Sequence, residues 1–229
     1  MGYYQRIQII FLLALFFYGC NQYKEKRVSN LVKEANQVQD TDQGRALEYL
    51  NEALSIDSNC ISAHILKGEI LKFSGHDSAA LMEFSKARRL DPQNTRALFD
   101  LGNAWSLLDR DDSAIIFYNK AIETKGSDSI YIDLPDPGLP IDYFNSDISM
   151  PVIRYFRGLS YYLTNQYHSA LLDFTFSLNN KYKIKDCYLY LGLIYLEFDI
   201  HDKGCENLTH ALENGNMDAK KYLDQYCKK

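Results

Sequence analysis

Proline is scarce in this chain of 229 residues: there are five, and only Pro92 lies outside the stretch from Pro135 to Pro151. Basic charge is in deficit too. The formal net charge is −5, and no run of Lys or Arg interleaves with aromatics. That argues against a nucleic-acid footprint. No apolar run is long enough to cross a bilayer as a helix; the clearest, Ile9–Tyr18, falls well short. Catalytic signatures are missing as well. There is no G-x-S-x-G elbow and no phosphate-binding loop. The five His (His64, His76, His168, His201 and His210) form neither an H-E-x-x-H pattern nor a zinc spacing with a Cys pair. His201, Cys205 and His210 are close in sequence, but the first reads as a turn residue and the last as late in a helix. No metal, cofactor or catalytic triad is therefore nominated, and the chain is not expected to be an enzyme.

What the chain has in quantity is apolar surface, 46% of residues, and tyrosine, 18 copies. This is enough to build a sizeable core. It is also arranged with a period of 34 residues. Gly68 and Gly102 are 34 apart, as are Ala80 and Ala114, and Ala87 and Ala121. In Ile61–Asn94 the recurring marks are Gly68, Leu71, Ala80, Phe84, Ala87 and Pro92. In Thr95–Asp128 they are Leu98, Leu101, Gly102, Trp105, Ala114, Tyr118 and Ala121. Arg27–Cys60 keeps the register through Ala46, Leu50 and Ala53, with Glu34 at the glycine position. After an interruption, Gly158, Tyr161, Ala170, Phe174 and Ser177 resume it in Pro151–Ile184. Tyr188, Leu191, Gly192, Tyr195, Gly204, Leu208 and Ala211 carry it through Lys185–Asp218.

A fixed period of this length, with small residues where two helices would touch, resembles the tetratricopeptide repeat (TPR) family. The resemblance implies an all-α fold: a right-handed α-solenoid of about five helix-turn-helix repeats. The expected layout is repeats one to three over 27–128, an insertion over 129–150 and repeats four and five over 151–218. A capping helix is expected over 219–229, where Ala219, Tyr222, Leu223 and Tyr226 share one face. Asp42, Asp77 and Asp111 or Asp112 stand at the turns and are expected to cap second helices. By the family pattern, the first helix of each repeat lines a concave groove that binds a protein or peptide. The matching positions include Arg96, Phe99, Asn103, Ser106, Tyr155, Leu159 and Tyr162. Ile65, Glu69 and Lys72 match earlier in the chain, and Leu189, Leu193 and Leu196 later.

The first residues have a separate logic. One positive charge, Arg6, precedes the apolar run, which ends in Gly19-Cys20 followed by polar Asn21-Gln22. This resembles the lipobox of bacterial lipoproteins, although Phe17 stands where Leu is usual. The resemblance implies a signal peptide over 1–19, a lipid on Cys20 and a polar tether over 20–26. The alternatives are an ordinary signal peptide or a short uncleaved anchor. Lipid on Cys20 would place the protein on a membrane in the bacterial cell envelope, facing the periplasm. Without Cys20, four cysteines remain, and export would put them in an oxidising compartment. In a helical array Cys187 and Cys205 begin antiparallel helices and lie at opposite ends. The last helix would return Cys227 to the start of the Cys205 helix, so Cys205 and Cys227 are the pair expected to be close. The alternative is four free thiols.

The insertion carries Pro135, Pro137 and Pro140, through which a helix cannot run. Its apolar residues, among them Ile130, Tyr131, Ile132 and Phe144, call for burial, either beside the groove or as a patch between two sub-arrays. The functional expectation is a membrane-anchored TPR scaffold. The other classes are an envelope enzyme with a site near the insertion and a structural subunit of an outer-membrane complex. Cys20→Ala is expected to move the protein out of the membrane fraction. Mass spectrometry of the mature N-terminus is expected to find an acylated Cys20, and an unmodified start rejects the lipid.

Overall fold

The computed structural model describes residues 22–124 and 148–227. The signal segment with Cys20, the stretch 125–147 that makes up most of the insertion, and residues 228–229 lie outside the described residues. Among the described residues there is no strand. Helix α1 spans 22–38. It is followed by α2 (Gln43–Ile56), α3 (Ile61–Phe73), α4 (Asp77–Leu90), α5 (Thr95–Leu107) and α6 (Asp111–Glu123). The rest are α7 (Met150–Leu163), α8 (Tyr167–Asn179), α9 (Ile184–Glu197), α10 (His201–Glu213) and α11 (Ala219–Tyr226). The expected tether is corrected: from residue 22 it is helical and continuous with α1. The run Gln22-Tyr23-Lys24-Glu25-Lys26 contains no Gly or Pro and is rich in strong helix formers. Met150, counted with the insertion, is the first residue of α7.

The chain divides into two compact units, one ending at Asp91 and one starting at Pro92. In the first unit α3 packs on α2 and α4. In the second, α5 pairs with α6, α7 with α8 and α9 with α10, and successive pairs stack through α6 on α7 and α8 on α9. The division therefore falls ahead of α5 and not at the proline-rich stretch.

The turns explain why helices pair. Gly75, Asp109, Asn165 and Asp199 all have positive φ, between 55° and 74°. They occupy the same place in their repeats, and Asx residues tolerate this left-handed region better than other side chains. In each turn the next N–H, from His76, Arg110, Gln166 or Ile200, donates to the carbonyl five residues back, which ends the first helix. Capping by aspartate is partly as expected. Asp42 precedes α2 and accepts from the Arg45 N–H at 2.9 Å. Asp77 and Asp111, however, sit one residue inside α4 and α6, behind His76 and Arg110. There they favour the positive N-terminal end of the helix dipole without capping it.

Within each pair the small residues do what the period implies. Ala46, Ala80, Ala114 and Ala170 are fully buried. A Cβ added at Gly68 would meet the Phe84 ring at 2.5 Å, and one at Gly102 would meet Tyr118 Cδ1 at 2.6 Å. The last pair closes on two facing glycines. A Cβ at Gly192 would meet Leu208 at 2.7 Å, and one at Gly204 would meet Leu196 at 2.7 Å. Gly204 is thus required by space, although it lowers helix propensity.

Helix α11 lays Ala219, Tyr222 and Leu223 against Leu189, Leu208 and Ala211. Cys205 on α10 and Cys227 just after α11 are joined by a disulfide, with Cα atoms 5.6 Å apart. Asn216 secures the approach to α11 by donating to Asp186 at 2.9 Å. Gly102→Ala is expected to lower stability in urea unfolding by about 1–3 kcal/mol, because Tyr118 must be displaced from a filled core. Gly44→Ala, whose Cβ would make only an ordinary contact with Asp42, is the matched control. It should leave stability unchanged or slightly raised.

Candidate functional site

The residues expected to line a groove in the second unit fall into three groups. Phe99 and Tyr155 are core residues, 6% and 7% exposed. Phe99 meets Phe156 at 5.4 Å and Tyr118 at 5.9 Å; Tyr155 meets Phe156, Phe174 and Tyr182 within 5.9 Å. As open groove positions they are corrected: large rings at these places fill the space between stacked helices. Arg96, Asn103 and Ser106 keep partly exposed positions, but each has a polar group engaged. Arg96 Nε donates to the buried Asp100 at 2.8 Å. Asn103 accepts from the Tyr118 hydroxyl at 2.8 Å. Ser106 donates to Asp111 at 2.9 Å, and the same carboxylate oxygen accepts from Ser160 on α7 at 2.7 Å. Leu159 and Tyr162 form the third group, half-buried against the core. Tyr162 lies 5.6 Å from Tyr167 and 5.2 Å from Tyr190 on α9, which carries the aromatic surface from one repeat to the next.

Further along, Leu189, Leu193 and Leu196 are gathered under Tyr222 and Leu223 of α11, so the capping helix takes part of that surface. In the first unit, taken alone, Ile65 and Glu69 are buried. Sequence reasoning missed Leu107 and Leu163, which are 53% and 62% exposed. Each is the last residue of its first helix. The signal was present, since each lies five residues beyond a motif glycine, Gly102 and Gly158. Phe73 holds that place after Gly68 and is 76% exposed.

The strongly perturbed groups are structural ones. Burial, with Asp111 and Asp100 nearby, drives the Tyr118 phenol up, and burial does the same for Tyr155. Burial pushes the Cys187 thiol up to about 12, with Asp186 adding to it, so this cysteine stays protonated and is a poor nucleophile. Burial alone would lower the Arg157 guanidinium, but a paired contact to Asp173 at 2.7 Å outweighs it and the net direction is up. Burial alone would raise the Glu83 carboxyl. Hydrogen bonds from Lys86 and His64 overcome that, and it ends below its ordinary range. Among the described residues no group of three or more His, Cys, Asp or Glu side chains could hold a metal ion. Cys205 is in the disulfide; His201 contacts Asp199 and His210 contacts Glu213. No described helix is long and apolar enough to cross a membrane.

No family model and no curated protein matches the chain. Solved structures do. YrrB, described as a TPR protein with an unusual peptide-binding site, is similar over 91% of this chain and 97% of its own, at 18% identity and a TM-score of 0.67. PilF of Pseudomonas aeruginosa is similar over 96% and 95%, at 13% identity and a TM-score of 0.68. MamA from Desulfovibrio magneticus is similar over 83% and 94%, at 17% identity and a TM-score of 0.65. At such identities the likeness concerns the fold, and the fold of this chain is the all-helical TPR fold.

Burial, followed by Tyr167, Tyr222, Glu197 and Tyr190, pushes the Tyr162 phenol up to about 12. An unfolded tyrosine ionises near 10, so above that pH the unfolded chain releases a proton that the folded one keeps. The stability present below about 10 is therefore expected to fall as pH rises towards 12. Tyr162→Phe, which has no proton to lose, should show a shallower fall in urea midpoints across that window.

Proposed function

We propose that this chain is a non-enzymatic scaffold that binds a protein or peptide and is held by a lipid on Cys20 to a membrane of the bacterial cell envelope, facing the periplasm. The observation that carries the binding part is how side chains are distributed over the TPR fold. The shifted groups Tyr118, Tyr155, Cys187, Arg157 and Glu83 are tied into packing between helices. The first helices instead offer half-buried Leu159 and Tyr162 and exposed Leu107 and Leu163. Such a surface suits association through apolar and aromatic contacts, since aromatic side chains supply much of the energy at protein interfaces. Among the described residues this surface carries no pair of acid and base with shifted protonation.

Two observations support the envelope part. The Gly19-Cys20 junction after an apolar run is suited to lipidation, and stable attachment needs two or more acyl chains, each methylene adding about 0.8 kcal/mol. The Cys205–Cys227 disulfide belongs with an oxidising compartment. That YrrB has a peptide-binding site is in keeping with the same use of the fold.

Affinity purification in mild detergent tests the reading. A partner recovered in stoichiometric amount is expected, lost on Tyr162→Asp and kept by Cys20→Ala, which should be found in the soluble fraction. Recovery that is indifferent to Tyr162→Asp, or no partner at all, rejects it.

A further inference from the structure

Helix α11 is seated on places that the family pattern gives to the groove. Leu193 and Leu196 hold on α9 the register places that Leu159 and Tyr162 hold on α7. On α9 they share one apolar cluster with Leu189, Leu208 and Ala211 and with Tyr222 and Leu223 of α11. Tyr222 reaches further. Burial is the first cause that holds the Tyr162 and Tyr190 phenols up, and Tyr222 adds to it at both. Those two rings stand 5.2 Å apart and join α7 to α9. This end of the aromatic surface is therefore occupied. Its occupant is an amphipathic helix of the same chain, which presents Ala219, Tyr222 and Leu223 at i, i+3 and i+4.

The occupant is lightly built. Helix α11 has 8 residues, and isolated helices shorter than about 12–15 residues are marginal in water. Only Ala219 in it is fully buried; Tyr222 and Leu223 are half-buried and the other five residues are exposed. Its N-cap residue, Asp218, makes no side-chain cap bond. Asn216, which donates to Asp186, fixes the near end. The far end is fixed by the disulfide from Cys227 to Cys205 on α10. Both cysteines are partly exposed, and access to a sulfur governs its exchange with an outside thiol. Cys187 is buried and stays protonated, so it is not an internal attacker.

We propose that α11 is an autoinhibitory occupant of the partner surface and that the Cys205–Cys227 disulfide is its latch. A dithiol reductant attacks one of the two sulfurs and the S–S bond breaks. Its second thiol then closes the reductant's own disulfide. Two electrons and two protons have passed to the protein, and both cysteines are thiols. With its far end free, α11 frays away from Leu189, Leu193 and Leu196. The vacated surface takes an amphipathic helix of a partner, with a small residue, an aromatic and a leucine at the spacing of Ala219, Tyr222 and Leu223. Helices that dock in apolar grooves anchor through side chains so spaced. This deepens the scaffold reading proposed above and rests on it.

The test uses the full mature chain, oxidised and in dithiothreitol. Hydrogen exchange is read first. Reduction is expected to speed exchange in α11 roughly tenfold while α9 and α10 keep their protection. Cys205→Ser should show the fast exchange without reductant. Fluorescence anisotropy follows, with a labelled peptide Met-Asp-Ala-Lys-Lys-Tyr-Leu-Asp-Gln-Tyr, the sequence of residues 217–226. It is expected to bind the reduced chain roughly tenfold more tightly than the oxidised one, and a peptide with Ser in place of Tyr222 and Leu223 should bind neither. Unchanged protection of α11 on reduction overturns the latch. So does loss of protection in α9 and α10 together with α11, which would make α11 a structural cap. Equal binding of the peptide to both forms, or binding to neither, overturns it too. If the latch fails while wild-type protein still retains a partner that Tyr162→Asp loses, the scaffold reading stands. If no such partner is retained, that reading fails on its own test.

Discussion

Four of the helix pairs close on a ring or a leucine set against a glycine. Phe84 lies over Gly68, Tyr118 over Gly102, Phe174 over Gly158 and Leu208 over Gly192. The distance between the two helices is fixed by that contact, and the buried alanines are sized for it. One methyl group at the glycine would push against an aromatic face that has nowhere to go. The constraint reaches the surface as well. Tyr118 is 1% exposed but carries a hydroxyl, and a buried hydroxyl needs a partner. Asn103 supplies it. The amide oxygen of a partly exposed residue, at a groove position by register, is thereby committed to a core hydroxyl.

The polar interior is distributed with similar economy. One pair of register places, on the first and second helices of a repeat, holds the contacting pairs Lys67 and Glu83 and Arg157 and Asp173 in two repeats, and Leu101 and Phe117, and Leu191 and Asn207, in the two others. Charge pairs alternate with neutral fillings of the same slot. A buried ion pair adds little net stability, because desolvation offsets attraction, but its geometry is directional. Arg157 shows the use of direction. Two of its nitrogens hold Asp173 on α8 and the third donates to Asn119 on α6 at 2.7 Å. Together with the bond from Ser160 to Asp111 and the contact of Phe99 with Phe156, this fixes α7 on the preceding pair despite the long stretch of sequence between them.

Much of this was legible in the sequence. The 34-residue period located the helices, because glycine and alanine mark close approach wherever they recur. The pairing of Cys205 with Cys227 followed from the direction of successive helices. Less legible was what a given groove position does. Phe99 and Tyr155 match the register of surface positions, yet their size fills the gap between repeats. Register says which way a residue points, not whether a neighbouring ring covers it. Asp77 and Asp111 were misplaced by one residue, because boundaries depend on turn geometry that composition only suggests. Residues 22–26 look like a linker by polarity but lack any helix breaker. Leu107 and Leu163 escaped notice because the family pattern names conserved marks, and the end of the first helix is not one of them.

The disulfide makes residues 205–227 a closed covalent loop that contains the exposed Gly215 turn and the exposed Lys220 and Lys221. A protease that cuts at the turn or after either lysine breaks one peptide bond and releases nothing. The severed tail stays fastened through Cys227 to Cys205, and Tyr222 and Leu223 remain held at the leucines they cover. Damage that would trim an unlinked terminus becomes, in this chain, a nick.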